Sequence, residues 1–321
     1  MLIARRRAVL GAALAAPGLA HAQGFPTRPL RLVSPFNPGG AIDVLNRLLA
    51  ERLGADLGQP VVVEARPGAN TVVGAEAVAR AAPDGHTFMV TTNSTHTNNP
   101  ALMPNLPYDP VRDFSPITLL SMGTIVLCAP RAAPFDDMRG FLAWARARPR
   151  TTYGSWGVGS AGHLYGAKIG AQENVALEHV PYRGEQPAIQ DVLAGRLDMT
   201  FASPVGARPQ QQAGALKLIG VPAAQRSVAL PDVPTFAEQG MQGYDMGLFV
   251  AAWAPGGTPA PVVMRLHQAF VRVVGEEAIR EAMLRQGQRP VVSTPDELAA
   301  AVTRDTPRWA ELIRLTGARA E

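Results

Sequence analysis

Two glycine-rich segments hold the residue types whose spacing could do chemistry. Pro38-Gly39-Gly40 lies between a strand-like stretch and a helical one, and so does Gly157-Val158-Gly159-Ser160-Ala161-Gly162. Closely spaced glycines let a backbone approach a guest, and a helix starting just beyond them presents unpaired N–H groups and the positive end of its dipole. An anion is the natural guest of such a place. The competing reading of Pro38-Gly39-Gly40 is an ordinary tight strand-to-helix turn. The second segment also spells G-x-G-x-x-G, with Glu178 about twenty residues past its start, so a dinucleotide site has to be weighed. Against it stand the mid-chain position of the motif and the placement of Glu178 inside a strand rather than at its end. An N-terminus that reads as an export signal also takes the chain away from the nicotinamide pool.

Other chemistry is sparse. The six histidines include no H-E-x-x-H, no Cys partner and no dense carboxylate cluster, so neither a metal nor another cofactor is expected. Ser155 and Ser160 lack the G-x-S-x-G elbow of a hydrolase, and no catalytic residue is nominated. His163 falls one turn into the helix after the second glycine segment, where it either reaches an anion or serves as a packing or capping residue. Thr91, Thr92, Ser94 and Thr95 follow a strand, where their hydroxyls either face a cleft or form a solvated loop.

The elements that must position these residues alternate. Leu30 to Val33, Val61 to Val63 and Thr87 to Thr92 read as strands, with helical spacing at Ile42, Leu45, Leu48, Leu49 and Leu53 and an Ala-rich helix over Gly74 to Ala81. After about residue 125 the pattern restarts, with helices at Phe141 to Ala147 and Ile189 to Leu193 and strands at Thr151 to Ser155, Val175 to Val180 and Met199 to Ala202. Such alternation predicts an α/β fold with a largely parallel sheet. Thr235 with Glu238 and Thr294 with Glu297 read as capping boxes, and Pro307 is expected to break or kink the last helix.

Arg5, Arg6 and Arg7 precede an apolar run from Ala8 to Ala20 and a small-residue cleavage site at Ala20-His21-Ala22. That is the layout of a secretory signal, read by the general or the twin-arginine route, and the run is shorter than the roughly 20 residues of a membrane span. Its removal lowers Lys+Arg from 30 to 27 against 26 Asp+Glu, a nearly neutral chain with no basic block for nucleic acid. Cys128 is the single cysteine, so no internal disulfide forms. The remaining length points to two domains, with no flexible linker between them.

Taken in order, further segments resemble the tripartite tricarboxylate transporter substrate-binding proteins, also called Bug receptors. They are Ser34 to Asp43, Glu64 to Ala69, Ala82 to Gly85, Asn99 to Leu102, Leu106 to Pro110, Gly157 to His163, Val180 to Gly184 and Leu230 to Gly240. The resemblance runs from Phe25 to the C-terminus. It implies a type II-like periplasmic-binding-protein fold, two lobes with mixed sheets around a central cleft, joined by two crossing strands. The expected lobes are 23–125 plus 247–321 and 126–246, after a signal at 1–22. The implied ligand contacts are Phe36, Asn37, Gly39, Gly40, Asp43, Thr92 and Thr95 from the first lobe, and Gly159, Ser160, His163 and Tyr182 from the second. Trp156, which either narrows the pocket or packs outward, and Ser203 complete the candidate set. Ala202 stands where some relatives carry an Asp able to pair with an ammonium group, which argues against α-amino acids held through that contact. Ile42 removes a hydroxyl donor common at its position. The implied partners are a small carboxylate ligand and either membrane permease subunits or a sensor-kinase ectodomain, with the receptor itself a monomer.

Overall fold

The computed structural model describes residues 24–318, so the expected signal at 1–22 lies outside the described residues. β1 (Leu30–Ser34), α1 (Ala41–Leu57), β2 (Val61–Ala65), α2 (Val72–Ala79) and β3 (Thr87–Thr92) form a first βαβαβ run. Two short helices, α3 (Ser94–Thr97) and α4 (Asn99–Leu102), precede the long strand β4 (Phe114–Gly123). The alternation restarts with β5 (Val126–Pro130), α5 (Met138–Arg146), β6 (Thr151–Ser155), α6 (Ala161–Glu173) and β7 (Leu177–Pro181). It continues through α7 (Glu185–Leu193), β8 (Met199–Ala202), α8 (Pro204–Gln212) and β9 (Leu216–Gly220). Then come β10 (Leu248–Pro255), α9 (Ala260–Gly275), α10 (Glu277–Arg285), β11 (Arg289–Pro290) and α11 (Pro295–Thr316).

The strands build two sheets, ordered β11-β4-β10-β3-β1-β2 and β7-β6-β8-β5-β9. One plan is used twice. β1 pairs in parallel with β2 and β3, as β6 does with β7 and β8. An antiparallel strand then follows each triplet, β10 beside β3 and β5 beside β8. The sheets are therefore mixed rather than largely parallel. A parallel neighbour needs a helical crossover, and β5 and β10 instead arrive from the other sheet without one. In each triplet the chain passes to one neighbour of the central strand and then to the other. The connections diverge there, and open α/β sheets bind ligands in the crevice so formed at the strand C-termini.

Side chains alternate across each sheet as strand geometry requires. Leu30 and Leu32 join a core with Leu45, Leu49, Phe88 and Phe270, whereas Val33 and Met89 face a second with Val72, Ala75 and Trp253. In the other sheet Leu127, Tyr153, Met199 and Phe201 face one layer, and Val126, Cys128 and Ala202 face another with Ala188, Ile189 and Val192.

Two elements ignore the sequence boundaries between the sheets. Leu102 of α4 is buried in the core of the second sheet. α11 is shared: Leu298 and Val302 pack on the first sheet, while Trp309, Leu312 and Ile313 sit with Tyr165 and Tyr244 in the second core. This helix, from the stretch 247–321, therefore packs on both sheets. Pro307 does not end it; a proline removes one N–H donor, and tertiary packing on both sides holds the segment. At its start Thr294 and Glu297 form the expected capping box, with bonds of 3.2 and 2.8 Å. Thr235 and Glu238 make the same pair of bonds, at 3.1 and 2.7 Å, but head only the single 3-10 turn Ala237–Gln239.

Candidate ligand-binding site

The turns leaving β1 and β6 share one local build. Gly39 and Gly159 take φ of +82° and +76°, a left-handed conformation that favours glycine. The next residues, Gly40 and Ser160, are extended N-caps. In each turn the left-handed glycine donates its N–H to the residue four positions on, the third residue of the helix. Gly39 donates to Asp43 Oδ2 at 3.0 Å, and Gly159 to His163 Nδ1 at 3.0 Å.

The first turn is closed by a charge. Asp43, with its side chain 1% exposed, also accepts from Arg47 Nε at 2.8 Å and Nη2 at 3.4 Å. Its carboxylate is committed to shaping the turn through the Gly39 N–H and Arg47. Phe36 is half-buried, whereas Asn37, Gly39 and Gly40 lie exposed at the rim. Gly40 caps α1 without a side-chain hydrogen bond, so no protein side chain serves the first-turn donors through the cap.

The second turn is closed by neutral groups. Ser160 Oγ accepts from the His163 N–H at 3.3 Å and donates to the Gly157 carbonyl at 2.7 Å. Beneath it, Ser155 Oγ accepts from the Gly157 N–H at 3.2 Å and lies 2.7 Å from His179 Nε2. The rings of His163 and His179 stack at 3.9 Å and 19°. Burial pulls His163 down to about 4, and burial followed by repulsion from His163 takes His179 to about 3. Both rings are neutral at physiological pH. Ser155 is fully buried, and among the described residues no carboxylate hydrogen-bonds His179, so the pair lacks the exposed nucleophile and orienting group of a hydrolase.

The segment after β3 reaches the second turn and the loop before α2. Thr92 is half-buried, and Thr95 is sealed, its Oγ1 2.7 Å from both Thr71 Oγ1 and Thr91 Oγ1. From Asn93 to Asn99 every residue but Ser94 is buried, an unusual density of enclosed polar groups. Asn98 Nδ2 donates to the Gly159 carbonyl at 3.4 Å, and a Cβ on Gly159 would come within 2.3 Å of Leu102 Cδ1. Asn99 donates to the Asn70 carbonyl at 2.8 Å and receives Asn70 Nδ2 at 2.7 Å. It thereby holds Ala69, Asn70 and Thr71, three consecutive non-glycine residues at positive φ.

The other candidates sit beside this arrangement. Trp156 packs against the second core, its Cζ3 3.2 Å from where a Gly162 Cβ would lie. Tyr182 ends its hydroxyl on Asp191 Oδ2 at 2.6 Å, which leaves its ring as the part free to meet a ligand. Ser203 caps α8 and is bound by Glu185, which accepts from its N–H at 2.7 Å and its Oγ at 2.8 Å. The strand end of β8 is thus filled by the protein's own carboxylate. Ala202 points into the apolar layer with Val126 and Ile189 rather than toward the strand ends. Glu178, the acid a dinucleotide fold would use, is exposed and paired with Arg150 at 2.9 Å. A recess of about 470 Å³ lies away from these turns, along β9, where Lys217–Asp136 at 2.7 Å and Arg208–Asp232 at 3.6 Å offset most of its charge.

The sequence did not single out Thr71, Asn98, His179 or Glu185, and it pointed to Ser155 only as a possible nucleophile and to Asn99 only within a family segment. The run Asn93 to Asn99, with no residue beyond Thr, Ser, His and Asn, was a visible signal. The others depend on contacts between residues distant in the chain.

The chain matches the family described as tripartite tricarboxylate transporter family receptor over residues 45–318. It is 36% identical over 317 residues to a Pseudomonas sp. (strain P51) protein from the tcbD-tcbE intergenic region, covering 97% of this chain and 94% of the relative. Among solved structures, a Rhodopseudomonas palustris protein with adipate aligns with a TM-score of 0.84 at 30% identity, over 92% of this chain and 99% of the other. MatC of Rhodopseudomonas palustris, with bound malate, gives 0.79 at 31% identity, over 90% and 100%. With two mixed sheets and paired glycine turns at their strand ends, the chain belongs to the tripartite tricarboxylate transporter receptor family, whose Bug members are periplasmic solute-binding proteins.

Proposed function

We propose that this chain is an extracytoplasmic receptor that captures a small carboxylate-bearing solute between the turn Phe36–Gly40 and the turn Trp156–Ser160. The observation that carries the reading is the repeated glycine turn, set at the switch point of each sheet with backbone donors at a helix N-terminus. The adipate and malate held by two similar proteins support a carboxylate as the recognised group. In this reading residues 23–125 with most of 247–321 form one lobe and 126–246 the other, with the end of α11 docked on the second. Residues 1–22 direct export, the working protein is a monomer, and membrane permease subunits receive its ligand. Phe36, Asn37, Gly39, Gly40, Thr92, Gly159, Ser160 and His163 line the contact, while Asp43, Thr95 and Ser203 shape it from behind.

A thermal-shift series with malate, adipate, monocarboxylates and aromatic acids tests the reading. A ligand at 100 times its Kd stabilises the native state by about 2.7 kcal/mol, a displacement of several degrees. A flat response across the whole series would refute carboxylate capture.

A further inference from the structure

The second turn contains a second layer of residues that the ligand contacts do not account for. His163 Nδ1 accepts the Gly159 N–H at 3.0 Å, so that nitrogen carries a lone pair and the ring proton resides on Nε2. A protonated ring would lose this bond, and with it the group that closes the turn. Nε2 makes no hydrogen bond within the described residues. It is also not sealed from solvent, unlike both ring nitrogens of His96. His163 therefore presents one free, neutral N–H donor from the third position of α6.

His179 lies behind it on β7, brought there by parallel pairing with β6 that sets it opposite Tyr153. Its ring stacks on His163 at 3.9 Å, and its Nε2 is 2.7 Å from Ser155 Oγ, which in turn accepts the Gly157 N–H at 3.2 Å. The two ends of the turn are thus tied to two touching rings, Gly159 to His163 and Gly157 to His179 through Ser155. The groups facing the pair are the Tyr153 hydroxyl, which donates to the His163 carbonyl at 2.9 Å, the Tyr153 ring 5.1 Å from His179, and the hydroxyls of Ser155 and Ser160. Among the described residues no Asp, Glu, Lys or Arg side chain hydrogen-bonds or ion-pairs with either ring.

We propose that His179, with Ser155, is a positioning residue that holds His163 as a neutral Nε2–H donor, so that the second turn offers a ligand carboxylate a donor whose strength does not change across neutral pH. This deepens the carboxylate reading and rests on it, but the ring state can be read without ligand. Two-bond ¹H–¹⁵N correlation spectra of the histidine-labelled protein report which ring nitrogen carries the proton. The expected result is a single Nε2–H form of His163 from pH 7.5 to 5, with the malate Kd changing less than about twofold over that range.

His179→Phe keeps an aromatic stack and removes the tie to Ser155. It should give a mixed His163 ring spectrum, a Kd weakened about threefold to tenfold as for one lost hydrogen bond, and a Kd that now varies with pH. Ser155→Ala supplies the same loss where the first variant folds poorly, and His179→Gln, which restores a partner for Ser155, should recover much of the affinity. A Nδ1–H or mixed wild-type ring, or a His163 spectrum unchanged in both His179→Phe and Ser155→Ala, overturns the proposal. Failure of malate and every other carboxylate to bind, with the predicted ring state intact, counts against the ligand reading instead.

Discussion

The turns after β1 and β6 have the same backbone and opposite chemistry at the residue that closes them. Asp43 closes the first with a buried negative charge neutralised by Arg47, and His163 closes the second with an uncharged ring stacked on another. Their surroundings differ as well. A Cβ on Gly39 would meet nothing within 4 Å, whereas one on Gly159 would strike Leu102. The first turn is an open rim with an internal brace, and the second is a contact surface on which the α3–α4 segment already rests. One motif thus supports two duties, holding shape by charge and transmitting contact by fit.

The largest effect expected from this contrast falls on Gly159. Gly159→Ala sets a methyl 2.3 Å from Leu102 Cδ1 at a positive φ, so it should weaken carboxylate binding at least about tenfold by forcing the α3–α4 segment off the turn. Calorimetry measures this, and Leu102→Ala in the same chain should recover part of it. Gly39→Ala meets no protein atom within 4 Å and bears the left-handed strain of about 1 kcal/mol, so although Gly39 lines the contact its loss of affinity should be the smaller of the two. Equal losses at the two glycines would break the comparison.

Asp43→Ala comes next. It leaves the Gly39 N–H without its acceptor and Arg47 without its partner, which costs about 2 kcal/mol of unfolding free energy. Arg47 is half exposed, so water recovers part of the loss. Urea denaturation reads it directly.

A pH dependence should distinguish the second turn. His163 and His179 are held neutral, at about 4 and about 3 against the ordinary 6.5. Between those values the unfolded chain binds protons that the native state refuses, so stability falls as pH drops from about 6.5 toward 4. His96, also buried and at about 3, adds to the slope. Melting temperatures from pH 7.5 to 4.5 test this, and His179→Phe should flatten the curve without abolishing it. A melting temperature that is level across the window contradicts the assignment.

The smallest effect is at Gly40. Gly40→Ser gives α1 the cap that Ser160 gives α6, and its Cβ meets only the Asn37 carbonyl at 3.4 Å. A gain of a few tenths of a kcal/mol is expected by chemical denaturation.

The sequence made the βα turns legible because their signals are local. A left-handed glycine, an extended cap and a helical apolar pattern are written within ten residues at both Gly39 and Gly159. Thr294 and Glu297 announced the start of α11 for the same reason. What stayed hidden depends on distant pairing: His179 meets His163 only through the β6–β7 register, and Glu185 reaches Ser203 across β8. Sequence places Asp43 on the turn but does not say that its carboxylate folds back on the Gly39 N–H. Pro307 does not break the helix, since local propensity there is outweighed by Trp309 and Leu312 packing into the second core. Leu102 and α11 show that the lobe boundaries, drawn from chain order, are crossed by packing.

In the proposed binding mode one carboxylate is gripped by both turns. A crystal structure with bound malate or adipate tests it most directly. Carboxylate oxygens are expected within hydrogen-bonding distance of donors on both the Gly39–Asp43 backbone and the Gly159–His163 turn, His163 Nε2 among them. A ligand held by one turn alone, or seated away from both strand-end crevices, would contradict it.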